Sequence, residues 1–303
     1  MSVAVIFPGL APSDYESVKD FVEKSPYAHR RFEYASEILG FSLRKSFREA
    51  TEDQWEVFQC AFLANSLALS DWAEEKLGMK PSVCVGASFG GFGAAIYTGS
   101  LSYNETLLLT YESTLQEKQN FSGFDEEMGT HFFYRLTLNQ VQDMIHNLRE
   151  QGHWVEFSSY LSEDIHAVCA TVEAIEIIKQ EIRKQKGISL HTMKRLVHSS
   201  KLKNFKDHTL KTVYNRFSFR DLTIPFVSDV DGMILEKGED LKNALLDGYD
   251  HPVRWPETVN TLKRLQVSKV FVVGPRNLFG PLSKEHFEVA IVSPEMTLES
   301  VAN

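Results

Sequence analysis

The chain has only three cysteines in 303 residues, Cys60, Cys84 and Cys169, widely spaced and set among apolar residues. The odd count and the lack of metal-ligand spacing exclude a disulfide framework or a zinc knuckle. They read instead as buried thiols in a reducing cytoplasm. Long apolar runs are also missing, with no stretch reaching the ~20 residues that a membrane-spanning helix needs. No signal peptide is expected, because Val3–Phe7 already reads as a strand. Internal repeats, low-complexity tracts and obvious flexible linkers are absent. Positive charge is not in excess: 32 Lys and Arg against 41 Asp and Glu leave −9, which argues against a nucleic-acid binder. The composition is that of an ordinary globular protein, long enough for one large domain and a smaller one.

The charge is nevertheless uneven. Between Lys179 and Arg220 stand twelve Lys or Arg, opposed only by Glu181 and Asp207, so this segment carries +10 and the remainder −19. A solvated helix face is the ordinary meaning of a charge run, but an imbalance this large points to an acidic partner.

The stretch with most chemistry is Pro81–Gly99. Val83-Cys84-Val85 suits a short buried strand, Gly86-Ala87-Ser88-Phe89-Gly90 is a G-x-S-x-G pentapeptide, and small apolar residues follow that can continue as a helix. Strand, tight turn and helix are what a nucleophile elbow requires, with glycines where a Cβ would clash. Ser88 would then stand at a helix N-terminus, where backbone N–H groups favour developing negative charge. The pentapeptide alone fits a plain Gly-rich turn equally well. The flanking strand and helix favour the elbow.

Along the chain, Tyr15, Val18, Phe21 and Val22 are spaced as on one helix face, and residues 28–78 read as mostly helical, best over Glu56–Leu77. Another helix follows Tyr103-Asn104-Glu105. From Thr130 the texture changes. Strands are expected at Thr130–Thr137, Trp154–Leu161, Ile165–Thr171 and Ile188–Leu196, and helices at Asn139–Gln151 and Val172–Lys186. This β-α-β-β-α-β order is the ferredoxin-like pattern. The expected fold is α/β: a large α/β-hydrolase-like domain, residues 1–126 and 199–303, with an inserted small ferredoxin-like subdomain, residues 127–198. Further on, Thr223–Ser228 and Lys269–Val273 read as strands, Trp255–Leu265 as a helix, and Glu295–Asn303 as a loose tail.

Several ordered signatures give these segments a resemblance to the malonyl-CoA:acyl carrier protein transacylase family, which includes the acyltransferases of polyketide synthases. Phe7-Pro8-Gly9 resembles its opening F-P-G-Q-G turn, Gly86–Gly90 its G-H-S-x-G, and Val197-His198-Ser199 the surroundings of its catalytic histidine. Pro252-Val253-Arg254-Trp255 and Val273-Gly274-Pro275 resemble its late P-V-x-W and V-G-P signatures. The match runs from about Val3 to Lys284.

The resemblance implies a Ser88–His198 dyad that carries an acyl group as a serine ester, with no permanently bound cofactor and no metal. Acyl-CoA or a phosphopantetheinyl carrier protein would be donor or acceptor. It also implies an oxyanion hole built from the backbone N–H groups of Leu10 and Phe89. The pocket would be shaped by Gln59, Ala87, Ser113, Arg195, Val197 and Gly248, with a backbone carbonyl near Gly248 orienting the histidine. Three of these depart from the family. Ser113 stands where malonyl-specific members have a carboxylate-binding arginine, Ala87 replaces a histidine, and Gly248 replaces a glutamine. Ordinary malonyl-CoA is therefore not the expected donor. Arg195 is either a displaced cation for the acyl group or part of the basic surface.

The expected function is a trans-acting acyltransferase of polyketide or hybrid peptide–polyketide synthesis, loading an atypical acyl group onto an acidic carrier protein docked near Lys179–Arg220. The alternative is a hydrolase that clears stalled acyl groups from carriers. A non-catalytic carrier-binding module is a third reading, against which the retention of Ser88 and His198 counts.

Overall fold

The computed structural model describes residues 2–11, 13–124, 126–276 and 279–299. β1 (Ser2–Phe7) is followed by α1 (Tyr15–Lys24), α2 (Pro26–Leu39), α3 (Leu43–Glu49) and α4 (Trp55–Leu77). Next come β2 (Val83–Gly86), α5 (Gly90–Tyr97) and α6 (Tyr103–Phe121). The central stretch contains β3 (Met128–Tyr134), α7 (Leu138–Glu150), β4 (Val155–Tyr160), β5 (Ile165–Thr171), α8 (Val172–Lys184) and β6 (Ile188–Met193). The chain then returns through α9 (Lys203–Thr212), β7 (Phe226–Val227), β8 (Ile234–Leu235), α10 (Gly238–Asp250), β9 (Val253–Arg254) and α11 (Trp255–Arg264). It closes with β10 (Val267–Val273), α12 (Phe279–Lys284), β11 (Glu288–Val292) and α13 (Pro294–Glu299).

The larger sheet has the order β11-β10-β1-β2-β7-β8 and is parallel except for the β7–β8 pair. Period-two alternation explains why β1 reads as an unbroken apolar run. Val5 and Phe7 enter one apolar cluster and Ala4 and Ile6 another, so both faces are covered. Phe7 pairs with Gly86, and Val85 with Val227. The carboxyl ends of β1, β2 and β7 therefore lie side by side, the edge where open α/β sheets place their ligands.

Helix α6 begins at a capping box in which Ser102 Oγ accepts the Glu105 N–H and the Glu105 carboxylate accepts the Ser102 N–H. Thr137 and Gln140 do the same for α7. The smaller sheet has the order β6-β3-β5-β4-β9; its first four strands are antiparallel and arranged as the β-α-β-β-α-β pattern requires. Its last strand, β9, comes from the C-terminal part of the chain and pairs parallel with β4.

Two expectations change. The strand expected at Thr223–Ser228 is only Phe226–Val227, because Thr223 gives both its N–H and its hydroxyl to the Thr98 carbonyl, at 2.8 and 2.9 Å. Pro225 has no N–H to add to a ladder. The tail expected to be loose is helical over Pro294–Glu299, with Thr297 buried; residues 300–303 lie outside the described residues. The strand β11 and helices α9 and α10 were not anticipated. The three cysteines are free and buried, and among the described residues no helix is long and apolar enough to cross a membrane.

Candidate active site

Ser88 follows β2 in a left-handed conformation, φ +52°, which a residue with a Cβ adopts only when its surroundings hold it there. The glycines around it are dictated by packing. A Cβ on Gly90 would lie 1.9 Å from the Phe7 carbonyl oxygen, and one on Gly86 would lie 2.5 Å from Gly91 Cα. Only glycine lets the turn press this closely against β1. Ser88 Oγ is 2.7 Å from His198 Nε2, within reach for proton transfer.

His198 is also left-handed, φ +57°, and the smaller sheet pins the chain on both sides of it. Val197 donates its N–H to Thr130 Oγ1 at 3.1 Å, and its carbonyl accepts from Ser158 Oγ at 2.9 Å and Cys169 Sγ at 3.2 Å. Thr130 Oγ1 in turn donates to the Arg195 carbonyl at 2.9 Å. Beyond the histidine, the Glu156 carboxylate on β4 accepts from Ser199 Oγ, Ser200 N–H and Ser200 Oγ at 2.5, 2.8 and 2.7 Å. Burial pushes the His198 imidazole down to about 4; the Gly248 carbonyl opposes this and the Arg195 charge adds to it. At neutral pH the ring is therefore uncharged and able to take a proton. Its Nδ1 faces that carbonyl without a hydrogen bond of ordinary geometry.

An unexpected carboxylate completes the elbow. Asp229, just past β7, accepts the Ser88 backbone N–H at 2.5 Å, and burial raises its carboxyl to about 6. Neither Leu10 nor Phe89 gives its N–H to a protein acceptor among the described residues. The Gly9 Cβ position lies 3.3 Å from Ser88 Cβ, which brings the turn after β1 against the serine.

Around the dyad is a cleft of about 800 Å³, open solvent at its mouth included, and Gln59, Ser113, Arg195, Val197 and Gly248 all line it. Ala87 does not. Its side chain is buried with Ala4, Ile6 and Val85 in the apolar cluster on the other face of the sheet. Arg195 is buried as well, so its reading as surface charge is corrected. Its Nη1 lies 3.5 Å from both Glu117 carboxylate oxygens, and its guanidinium packs over Trp55 at 4.9 Å. Glu117, Asp229 and Tyr249, also in the lining, were missed. Glu117 could have been found, since it follows Ser113 by one helical turn on the same face of α6.

The basic segment is largely neutralised in space. Among the described residues, Lys179, Lys184, Lys194, Arg195, Lys206, Arg216 and Arg220 all have carboxylate partners, and only the Lys184 partner lies inside the segment. Asp247, Asp250 and His251 bring ligand atoms within 4.8 Å of one another. Lys206 Nζ already bridges the two carboxylates there, at 2.6 and 2.9 Å.

Fold and site together define an α/β acyltransferase. Residues 133–193 match the VinK acyltransferase small domain. The chain is 25% identical over 292 residues to a malonyl CoA-acyl carrier protein transacylase of Bacillus subtilis, spanning 94% of this chain and 71% of that one. It is also 25% identical to the Haemophilus influenzae protein of that name, over 93% of this chain and 91% of the other. Among solved structures, a malonyl-transacylase in complex with its type II polyketide-synthase acyl-carrier protein superposes with TM-score 0.86 at 22% identity, over 99% of this chain and all of that one. FabD from Acinetobacter baumannii gives 0.86 at 20% identity, over 99% and 98%. Over nearly its whole length the chain is thus similar to malonyl-CoA:acyl carrier protein transacylases, and it shares their fold.

Proposed function

We propose that this protein moves an acyl group other than malonyl from a CoA or carrier-protein thioester, through a Ser88 ester, to the phosphopantetheine thiol of an acyl carrier protein. The observation that carries this reading is the 2.7 Å contact between Ser88 Oγ and His198 Nε2 beneath an open cleft. Ser88 Oγ attacks the thioester carbonyl carbon while His198 Nε2 takes the hydroxyl proton. The Leu10 and Phe89 N–H groups receive the charge that forms on the carbonyl oxygen. The C–S bond then breaks, and the departing thiolate takes the proton from His198. In the second half, the acceptor thiol gives its proton to His198, its sulfur attacks the ester carbon, and Ser88 leaves and is reprotonated. The resting imidazole is neutral, as both halves require.

Ser113 at the position of the family's carboxylate-binding arginine supports an acyl group other than malonyl. The small-domain match and the structural neighbour bound to a polyketide-synthase carrier support a place in polyketide or hybrid peptide–polyketide assembly. The free buried thiols suit a cytoplasmic enzyme.

Intact-mass spectrometry with a panel of acyl-CoAs and acyl carriers tests the reading. The expected result is an adduct that is abolished in Ser88→Ala and that passes to a separate holo-carrier. An adduct that decays to free acid without labelling the carrier would replace the transferase by a hydrolase.

A further inference from the structure

The floor of the cleft combines two opposite charges. Glu117 stands one turn along α6 from Ser113, and Arg195 reaches it from the segment before the histidine. Both residues are buried, and both Nη1–oxygen separations are 3.5 Å, the outer limit of a hydrogen bond. The other guanidinium N–H groups make no hydrogen bond among the described residues, so the ion pair leaves donor capacity open to the cleft. Burial raises the Glu117 carboxyl, while Arg195 and the Gln59 side chain act to lower it. Two more lining residues, Thr110 and Ser113, have buried hydroxyls without partners; Ser113 Oγ lies beside the Tyr249 hydroxyl but makes no hydrogen bond of ordinary geometry.

This floor is polar and close to neutral. A free carboxylate entering it would meet Arg195 already matched by Glu117, with like charge beside it and Asp229 at the serine. A purely alkyl chain would cover the open donors and acceptors and displace their water without replacing its hydrogen bonds. We infer that the Arg195–Glu117 pair selects an uncharged acyl chain bearing one group that both accepts and donates hydrogen bonds, a hydroxyl or a secondary amide. Arg195 donates to the acceptor of that group, and the Glu117 carboxylate receives its O–H or N–H.

The inference rests on acylation of Ser88, and the test separates the two. Initial rates of Ser88 acylation are measured by intact mass with butyryl, 3-hydroxybutyryl, acetamidoacetyl and malonyl thioesters on one carrier. The expected result is at least tenfold faster labelling by the hydroxyl or amide donor than by butyryl or malonyl, and these two arms tell hydroxyl from amide. Malonyl fastest, or butyryl equal to the polar donors, overturns the inference and leaves Ser88 acyl transfer standing. No Ser88-dependent adduct from any donor overturns both. Glu117→Gln, which keeps the shape and removes the countercharge, is expected to raise malonyl labelling at least tenfold while slowing the polar donors. An unchanged malonyl rate in a folded variant would also overturn it.

Discussion

His198 is buried in a setting that favours its neutral form, and this has two consequences of definite sign. A free histidine titrates near 6.5, whereas burial holds this one at about 4. Catalysis needs the unprotonated ring, so the histidine limb of kcat/KM is expected to fall near pH 4 and not near 6.5. Asp229, raised to about 6, is bonded to the nucleophile's own N–H and adds a second ionisation. The limb is therefore best measured in Asp229→Asn, and a histidine limb near 6.5 there would refute the neutral, buried assignment. Stability follows the same linkage. Between pH 6.5 and 4 the unfolded chain binds a proton that the native ring does not, so this group's contribution is intact above 6.5 and is lost as pH falls towards 4. Asp229 acts in the opposite sense, because its native carboxyl takes up a proton at higher pH than the unfolded one.

At the scale of elements, the smaller sheet has a direct part in the site, because β3, β4 and β5 hold the chain on either side of His198. Thr130 is the hinge of this arrangement, its hydroxyl accepting from Val197 N–H and donating to the Arg195 carbonyl. Thr130→Val keeps the shape but leaves both backbone groups unpaired in a buried place, at a cost of about 1–3 kcal/mol. It should lower the chemical denaturation midpoint and reduce kcat more than KM, because the ring it displaces is His198. An unchanged kcat in a destabilised variant would mean that the Ser158, Cys169 and Glu156 contacts suffice to position the histidine.

Over the whole molecule, the charge imbalance written along the chain is not the charge the surface presents. Ion pairs with Glu52, Glu105, Glu112, Glu117, Glu176, Asp247 and Asp250 cancel much of the basic segment. Lys201 and Lys203 remain exposed and without ion pairs on either side of Leu202, a cleft-lining residue, and Lys201 packs over Trp154 at 4.7 Å. These two lysines are the unpaired cations of the expected docking segment that flank a cleft-lining residue. Changing both lysines to glutamate is expected to raise KM for an acidic carrier about tenfold at low salt, with kcat changing less. The effect should shrink as ionic strength rises, and an equal effect at high salt would exclude an electrostatic dock at these lysines.

The sequence by itself determined what depends on local pattern. Short apolar runs placed β1 and β2, and the change of texture after Thr130 placed β3, β4, β5 and β6, but not β9. Helical spacing placed α1, α4 and α6, and the glycines around Ser88 announced a turn whose crowding tolerates no side chain. Ser88 and His198 were legible together only through the resemblance, since 110 residues separate them and nothing local marks the histidine. Tertiary structure alone decided which charges meet. It bonded Asp229 to the Ser88 amide across 141 positions and set Glu117 against Arg195 across 78. It also turned Ala87 away from the cleft and silenced most of the basic run. The physical reason is range: propensity and steric crowding act between neighbours in the chain, whereas electrostatic pairing and burial depend on neighbours in space, which exist only once the sheets have closed.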